Sequence, residues 1–105
     1  PEIDAVYTQD DEAAVGAITA IENAGRTDIQ FVTGYGGSKT AYKYLQENHP
    51  LFGASMSYFP TMGGDAIVEA KKMLLSGNVP EGKDIIQPTY VVTSENVDKY
   101  LDNAY

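Results

Sequence analysis

Strand-like and helix-like segments alternate along the chain, and this alternation constrains the fold more than any other feature of the sequence. The strand-like segments are residues 3–7, 28–33, 53–58 and 85–92. Each is followed by a segment in which apolar residues recur at the spacing of one helix face. The order βαβαβαβα, in units of roughly 20 to 30 residues, predicts a parallel sheet flanked by helices, which is a doubly wound α/β fold.

Capping residues predict where the first two helices begin and end. Asp10 is placed to accept hydrogen bonds from the free N–H groups of the first helix, and Gly25 to end that helix in a left-handed conformation. Residues 34–37 are glycine-rich and predict a turn, after which Ser38 caps the second helix.

The last third of the chain predicts a less regular arrangement. Its third helix carries apolar residues from Ala66 to Leu74 and ends at Gly77. Residues 79–82 are expected to form a surface turn. Pro88 interrupts the fourth strand and predicts an edge strand or a crossing segment, because proline cannot donate to a sheet ladder. A final helix is expected to carry apolar residues at positions 97, 101 and 104.

The composition excludes several classes of function. The chain has 105 residues, enough for one domain, and a formal net charge of −8, which disfavours a surface that neutralises nucleic-acid phosphates. Cysteine is absent and His49 is the single histidine, so the sequence indicates no disulfide framework, no thiolate nucleophile and no zinc site. No cofactor or metal is expected, and no catalytic constellation is apparent.

Three loops are predicted to meet at one edge of the sheet. Right-handed crossovers bring the segments 8–11, 34–38 and 58–62 to the carboxyl ends of the strands. Ligands of open α/β folds bind at this edge. The sequence therefore places a candidate ligand site among these loops.

The second loop, with the sequence VTGYGGSKT, resembles two phosphate-binding motifs but matches neither. With Lys39 as the lysine of a P-loop, the two required glycines fall on Thr33 and Ser38. In the dinucleotide pattern the third glycine falls on Lys39 itself. The alternative is a glycine-rich turn that allows a positive φ.

Carboxylates and aromatic side chains lie at the same edge. Asp10 is the better candidate for binding ligand hydroxyl groups because it is nearer the strand end, whereas Asp11 is interpreted as a partner of the helix dipole. Tyrosine combines an apolar face with a hydroxyl group, which suits polar ring-shaped ligands. The aromatic residues that cluster at strand ends are Tyr7, Tyr35, Tyr58 and Phe59. The alternative for each is simple packing against a helix start.

Four segments in order resemble the type I periplasmic binding proteins, the sugar-binding components of ABC transporters. YTQDDEAAVGAITAIENAG is similar to the family pattern Q-N-D-E-x-A-x-G-A, and VTGYGG is similar to V-G-F-D-G. GASMSYFPTMGGDAIVEAKKMLLSGNVP resembles the segment in which a strand ends before a proline and a helix, and YVVTSENVDKY resembles the C-terminal VTxENV. The resemblance covers essentially the whole chain, and the lac repressor family shares the fold.

The resemblance implies a set of ligand-binding residues: Gln9, Asp10, Tyr35, Gly36 and Tyr58. Asp10 stands where the family has an asparagine that contacts sugar hydroxyl groups. Gly36 stands where the family has an aspartate that accepts hydrogen bonds from them, which is a departure. Tyr58 takes the position of the polar residue before the proline. Either Tyr35 or a water molecule compensates for the carboxylate absent at Gly36, or the ligand is not a typical pentose or hexose and needs no carboxylate there.

The resemblance also implies the setting of the chain. Residues 1–105 are expected to be part of the C-terminal lobe of a two-lobe solute-binding protein, without the N-terminal lobe. The expected function is non-enzymatic binding of a sugar or polyol as the receptor of an ABC transporter, with the permease as partner. The expected location is periplasmic or extracellular, with attachment as a lipoprotein in a Gram-positive organism. An effector-sensing domain of a lac repressor-type regulator is the alternative, and an enzyme on a flavodoxin-like fold is the third hypothesis. A sheet edge exposed in the fragment is expected to pair with another chain as a homo-oligomer.

Overall fold

The computed structural model describes residues 1–58, 60–79 and 84–105. Within these residues, strands and helices alternate in the order β1 Ala5–Tyr7, α1 Asp11–Asn23, β2 Phe31–Gly36, α2 Lys39–Gln46, β3 Phe52–Ser57, α3 Met62–Ser76 and β4 Tyr90–Val92. Two short 3₁₀ helices, Val97–Lys99 and Leu101–Asn103, follow. Phe59 and most of the expected turn at 79–82 lie outside the described residues.

The strands form one sheet in the order β1-β2-β3-β4. β1, β2 and β3 are parallel, which confirms the predicted α/β class. The prediction of a fourth parallel strand is wrong: β4 is antiparallel to β3 and begins only after Pro88. Tyr90 pairs with Ser57 and Val92 with Ser55, so the chain re-enters the sheet beside the carboxyl end of β3 and runs back along it. The expected edge position of this strand is confirmed.

Helices α1 and α2 pack beside each other on one face of the sheet. The crossovers between successive parallel neighbours have one hand, which places both helices on the same side. Their buried residues lie at helical spacing and meet alternate residues of β2 and β3. This core comprises Ala14, Ile18, Ile21, Ile29, Val32, Ala41, Tyr42, Leu45, Phe52, Val92 and Val97.

The capping predictions are confirmed at both helix starts. Asp10 accepts a hydrogen bond from the Ala13 N–H, and the Ser38 hydroxyl oxygen accepts one from the Ala41 N–H. Gly25 follows the first helix with a φ of 62°. The predicted turn at 34–37 is wrong in part, because β2 continues to Gly36 through pairing with β3.

The predicted final helix is replaced by the two 3₁₀ helices. The Asn96 side chain accepts a hydrogen bond from the Thr93 N–H and donates one to the Val91 carbonyl oxygen. These bonds hold residues 93–96 in a turn, and side chains that bond locally in this way compete with an α-helix. Of the three apolar positions expected on one helix face, Val97 alone is buried.

Helix α3 stands apart from the core. It ends at Gly77 in the left-handed conformation, as predicted, but it contains no buried residue. Its exposed apolar side chains include Ile67, Leu74 and Leu75, which are 72%, 82% and 79% exposed. Within the described ranges, no helix has both the length and the apolar character needed to cross a membrane.

Strand β1 forms the other edge of the sheet. It is three residues long and pairs with β2 on one side. Pairing of this edge with another chain stays a prediction.

Replacement of Gly16 by alanine is expected to stabilise the fold. Gly16 lies exposed inside α1, and nothing lies within 4 Å of the position that an added Cβ would take. Alanine there restricts the unfolded chain at no steric cost, so we expect a gain of about 0.5–1 kcal/mol in the free energy of unfolding. Urea denaturation of the full-length protein that carries this sequence measures it.

The matched control for that substitution is Gly25→Ala. An added Cβ at Gly25 also meets nothing within 4 Å, but the φ of 62° disfavours any residue with a side chain. This variant is expected to lose stability. Equal changes at the two positions would contradict the argument.

Candidate ligand-binding site

The carboxyl ends of β1, β2 and β3 meet at one edge, as the parallel pairing requires. Thr8 connects the first two strand ends. Its hydroxyl oxygen lies 2.7 Å from the Asp10 carbonyl oxygen and 2.8 Å from the Thr33 carbonyl oxygen, and it shares its proton between them. Its N–H also donates to the Thr33 carbonyl oxygen at 3.1 Å. The loop before α1 is therefore fixed against β2.

A cavity of about 430 Å³ opens at this edge, beside the strand ends. Gln9, Tyr35 and Tyr58 line it, one from each of the three loops. The rings of Tyr35 and Tyr58 lie 5.1 Å apart between centroids, with an angle of 35° between their planes. The remaining walls are Met62, Ile85, Gln87 and Thr89. The size lies within the usual range for small-molecule pockets, and aromatic walls with a few polar groups are typical of them.

Residues after α3 also line this cavity, although they do not belong to the three strand-end loops. Ile85 and Gln87 line it together with Met62, and the same three residues border a second cavity of about 310 Å³ under α3. The second cavity is lined mainly by side chains of α3, and Met62 is the only described residue of the three strand-end loops that borders it. We therefore take the first cavity as the candidate site.

Two of the predicted site residues, Asp10 and Gly36, flank the cavity without being among the described residues that line it. Asp10 is half-buried, and one of its carboxylate oxygens is engaged in capping α1. Gly36 is buried, with a φ of 132°. The structure thus brings Gln9, Tyr35 and Tyr58 together and leaves Asp10 and Gly36 beside them at the same edge.

Asp11 is an anchor of the site that the sequence interpretation missed. It is completely buried, although it was interpreted as a partner of the helix dipole. Its Oδ2 atom accepts hydrogen bonds from the N–H groups of Gly37 and Ser38 at 2.8 and 2.7 Å. Its Oδ1 atom accepts one from the Ser55 hydroxyl at 2.8 Å. One carboxylate therefore holds together the starts of both helices and the middle of β3.

The glycines of β2 are the signal that would have revealed this anchor. A Cβ added at Gly34 would overlap the Oδ1 atom of Asp11. A strand residue without a side chain, facing the start of the preceding helix, leaves room for a carboxylate to enter the core. Gly34 and Asp11 are complementary in this sense.

The same contacts explain why VTGYGGSKT is not a phosphate-binding loop. The N–H groups at the start of a helix are the usual donors to a phosphate. Here the N–H groups of Gly37 and Ser38 donate to Asp11, that of Lys39 donates to the Tyr105 carbonyl oxygen, and that of Ala41 donates to the Ser38 side chain. The anion held at the start of α2 is the protein's own carboxylate.

Burial affects the titration of two tyrosines near this edge. It raises the pKa of Tyr42, a core residue whose hydroxyl lies beside Gly37. It also raises the pKa of Tyr105, and the neighbouring negative charges of Glu12 and Asp11 raise it further. Both side chains are therefore neutral phenols at neutral pH. Within the described ranges, no group of acidic residues and histidine has the arrangement of a metal site.

A mostly parallel α/β sheet with a cavity at the carboxyl ends of its strands is typical of ligand-binding domains of the α/β class. The chain belongs to the periplasmic binding protein domain family, whose model matches residues 1–79. This finding confirms the resemblance described from the sequence.

Curated relatives in the family include ribose import binding proteins. The chain is 31% identical to that of Escherichia coli (strain K12) over 83 residues, which cover 79% of this chain and 27% of the relative. It is 30% identical to that of Salmonella typhimurium (strain LT2) over the same length. The chain thus spans 27% of the length of the curated relatives that it matches.

Solved structures show the same fold. A galactofuranose binding protein superposes with a TM-score of 0.78 at 27% identity, covering 95% of this chain and 33% of that one. An ABC transporter solute binding protein from Bacillus halodurans with bound myo-inositol superposes with a TM-score of 0.75 at 30% identity, covering 98% and 34%. These relatives are binding proteins, and they lend no support to the regulator alternative.

Proposed function

We propose that this chain forms part of the sugar- or polyol-binding receptor of an ABC transporter. The observation that carries the proposal is the convergence of Gln9, Tyr35 and Tyr58 on one cavity at the carboxyl ends of three strands. The relatives support the ligand class: they include binding proteins for ribose and galactofuranose, and one solved with myo-inositol.

The lining residues suit a polyhydroxy ligand. The rings of Tyr35 and Tyr58 offer apolar faces against which a sugar ring packs, and their hydroxyl groups both donate and accept hydrogen bonds. The amide of Gln9 adds a donor and an acceptor at the first strand end. The carboxylate of Asp10 has one oxygen engaged in capping α1, so its other oxygen is the one offered to a ligand hydroxyl group.

The family supports a proposal for the rest of the receptor. We propose that residues 1–105 belong to the C-terminal lobe of a two-lobe protein and that the ligand is enclosed between the lobes. The partner of the closed form is the transporter permease, and the location is periplasmic or extracellular, with a lipid anchor in a Gram-positive organism. The function is binding without catalysis.

Titration calorimetry of the full-length protein tests the proposal. The panel comprises D-ribose, L-arabinose, D-allose, allitol and myo-inositol. At least one of them is expected to bind, and Tyr58→Ala is expected to weaken that binding by about tenfold or more, because it removes both a packing face and a hydroxyl group.

Tyr44→Ala is the matched control. Tyr44 stacks on His49 beside Phe52, away from the cavity. This variant is expected to lower stability and leave affinity unchanged. Absence of binding across the panel, or equal loss in the two variants, would overturn the proposal.

A further inference from the structure

The C-terminal residue of the chain, Tyr105, returns to the strand edge. Its carbonyl oxygen accepts a hydrogen bond from the Lys39 N–H at 3.0 Å, at the start of α2. This bond places the Tyr105 side chain directly over the end of β2. A Cβ added at Gly36 would lie 2.6 Å from the Tyr105 hydroxyl oxygen and 3.5 Å from its Cζ.

Gly36 and Tyr105 are therefore complementary in shape. Gly36 adopts a φ of 132°, which residues with a side chain rarely adopt, and its lack of a Cβ leaves the space that the Tyr105 hydroxyl group occupies. A polar group from the end of the chain thus takes the place that a side chain at position 36 would otherwise fill.

The Tyr105 hydroxyl group lies among polar and charged residues at the carboxyl ends of the strands. Asp10, Asp11, Glu12 and Tyr58 lie close enough to influence its titration electrostatically. The side chain is 45% exposed, and its hydroxyl group forms no hydrogen bond with another of the described residues. It borders a cavity of about 290 Å³ together with Pro60 and Thr61, which follow Tyr58 closely in the chain.

We propose that Tyr105 is a further ligand-binding residue, whose hydroxyl group forms a hydrogen bond with a hydroxyl group of the ligand beside Gly36. The inference rests on the proposed function and adds to it a contact from outside the three strand-end loops. A neutral phenol at this point, among the carboxylates of Asp10, Asp11 and Glu12, favours a neutral polyhydroxy ligand over an anionic one.

Tyr105→Phe in the full-length protein tests the inference. The substitution keeps the ring and the backbone bond to Lys39 and removes the hydroxyl group alone. Affinity for whichever compound of the panel binds, measured by calorimetry, is expected to fall about five- to tenfold, as for the loss of one hydrogen bond. Tyr44→Phe removes a hydroxyl group far from the edge and is expected to leave affinity unchanged.

A deoxy analogue separates direct contact from a structural effect. The analogue that lacks the contacted hydroxyl group is expected to bind the unsubstituted protein five- to tenfold more weakly and to bind Tyr105→Phe with no further loss. If, for every deoxy analogue, the loss of affinity caused by the analogue multiplies with the loss caused by Tyr105→Phe, the inference is overturned.

A second measurement tests the inference even if Tyr105→Phe folds poorly. Fluorotyrosine placed at position 105 is expected to change its ¹⁹F chemical shift when ligand saturates the protein, and an unchanged shift would overturn the inference. If the affinity of Tyr105→Phe is within twofold of that of the unsubstituted protein, this inference is overturned while the proposed function stands. Absence of binding by the unsubstituted protein would overturn the proposed function, and this inference with it.

Discussion

Asp11→Ala is expected to lower the free energy of unfolding by about 3–5 kcal/mol, because it leaves three buried donors without their acceptor. These donors are the N–H groups of Gly37 and Ser38 and the hydroxyl group of Ser55. Hydrogen bonds to a charged group are the stronger kind, and the carboxylate is completely buried. Denaturant unfolding of the full-length protein measures the loss.

Asp11→Asn is expected to cost less, about 1–2 kcal/mol. Its amide oxygen accepts from the two backbone N–H groups, and its amide nitrogen donates to the Ser55 hydroxyl oxygen, which acts as an acceptor. Charge assistance is lost and the Ser55 hydroxyl proton loses its acceptor, but the two backbone N–H groups keep theirs.

Glu12→Gln is the matched control for both variants of Asp11. Glu12 is the next residue of the same helix turn but is exposed. Its substitution is expected to change the free energy of unfolding by no more than about 0.5 kcal/mol. A loss below about 1 kcal/mol for Asp11→Ala would contradict the anchoring role.

The regular part of the fold could be predicted from the sequence because its signals are local. Side-chain caps act within one helical turn, so Asp10 and Ser38 identified the starts of α1 and α2. Alternation of strands and helices predicted the parallel part of the sheet. The antiparallel direction of β4 carries no such signal, because it depends on where the chain re-enters after α3.

The site could be predicted only in part, for a similar reason. The position of Gln9, Tyr35 and Tyr58 at one edge follows from strand order alone, and the structure places all three around one cavity. The anchoring contacts of Asp11 and the proposed role of Tyr105 both depend on contacts across the fold. Asp11 contacts residues 26, 27 and 44 positions away in the chain, and no local pattern specifies such contacts.

The glycines of residues 34–37 combine a local signal, which the sequence shows, with contacts across the fold, which it does not show. From the sequence, residues 34–37 indicated a glycine-rich turn that allows a positive φ, and Gly36 and Gly37 do have positive φ. Gly34 differs because it lies in β2 and is needed for space, to admit Asp11. A run of glycines therefore combines two separate requirements, conformation and close approach.

Gly34→Ala is expected to cost about 2–4 kcal/mol, since overpacking beside a buried carboxylate forces either the strand or the first turn of α1 to move. The added Cβ would overlap the Asp11 Oδ1 atom and lie 3.2 Å from the Phe52 Cζ atom. Asp11 cannot move away from the added methyl group at low cost, because both of its carboxylate oxygens accept hydrogen bonds. Denaturant unfolding measures the change.

The double variant Gly34→Ala with Asp11→Ala distinguishes this clash from a general intolerance of the strand. Removal of the carboxylate opens the space that the new methyl group needs, so the double variant is expected to lose less stability than the sum of the two single losses. Gly53→Ala is the control, because an added Cβ there meets its nearest atom, Cβ of Phe31, at an ordinary 3.5 Å. Additive losses in the double variant, or an equal loss at Gly53, would contradict the proposed complementarity of Gly34 and Asp11.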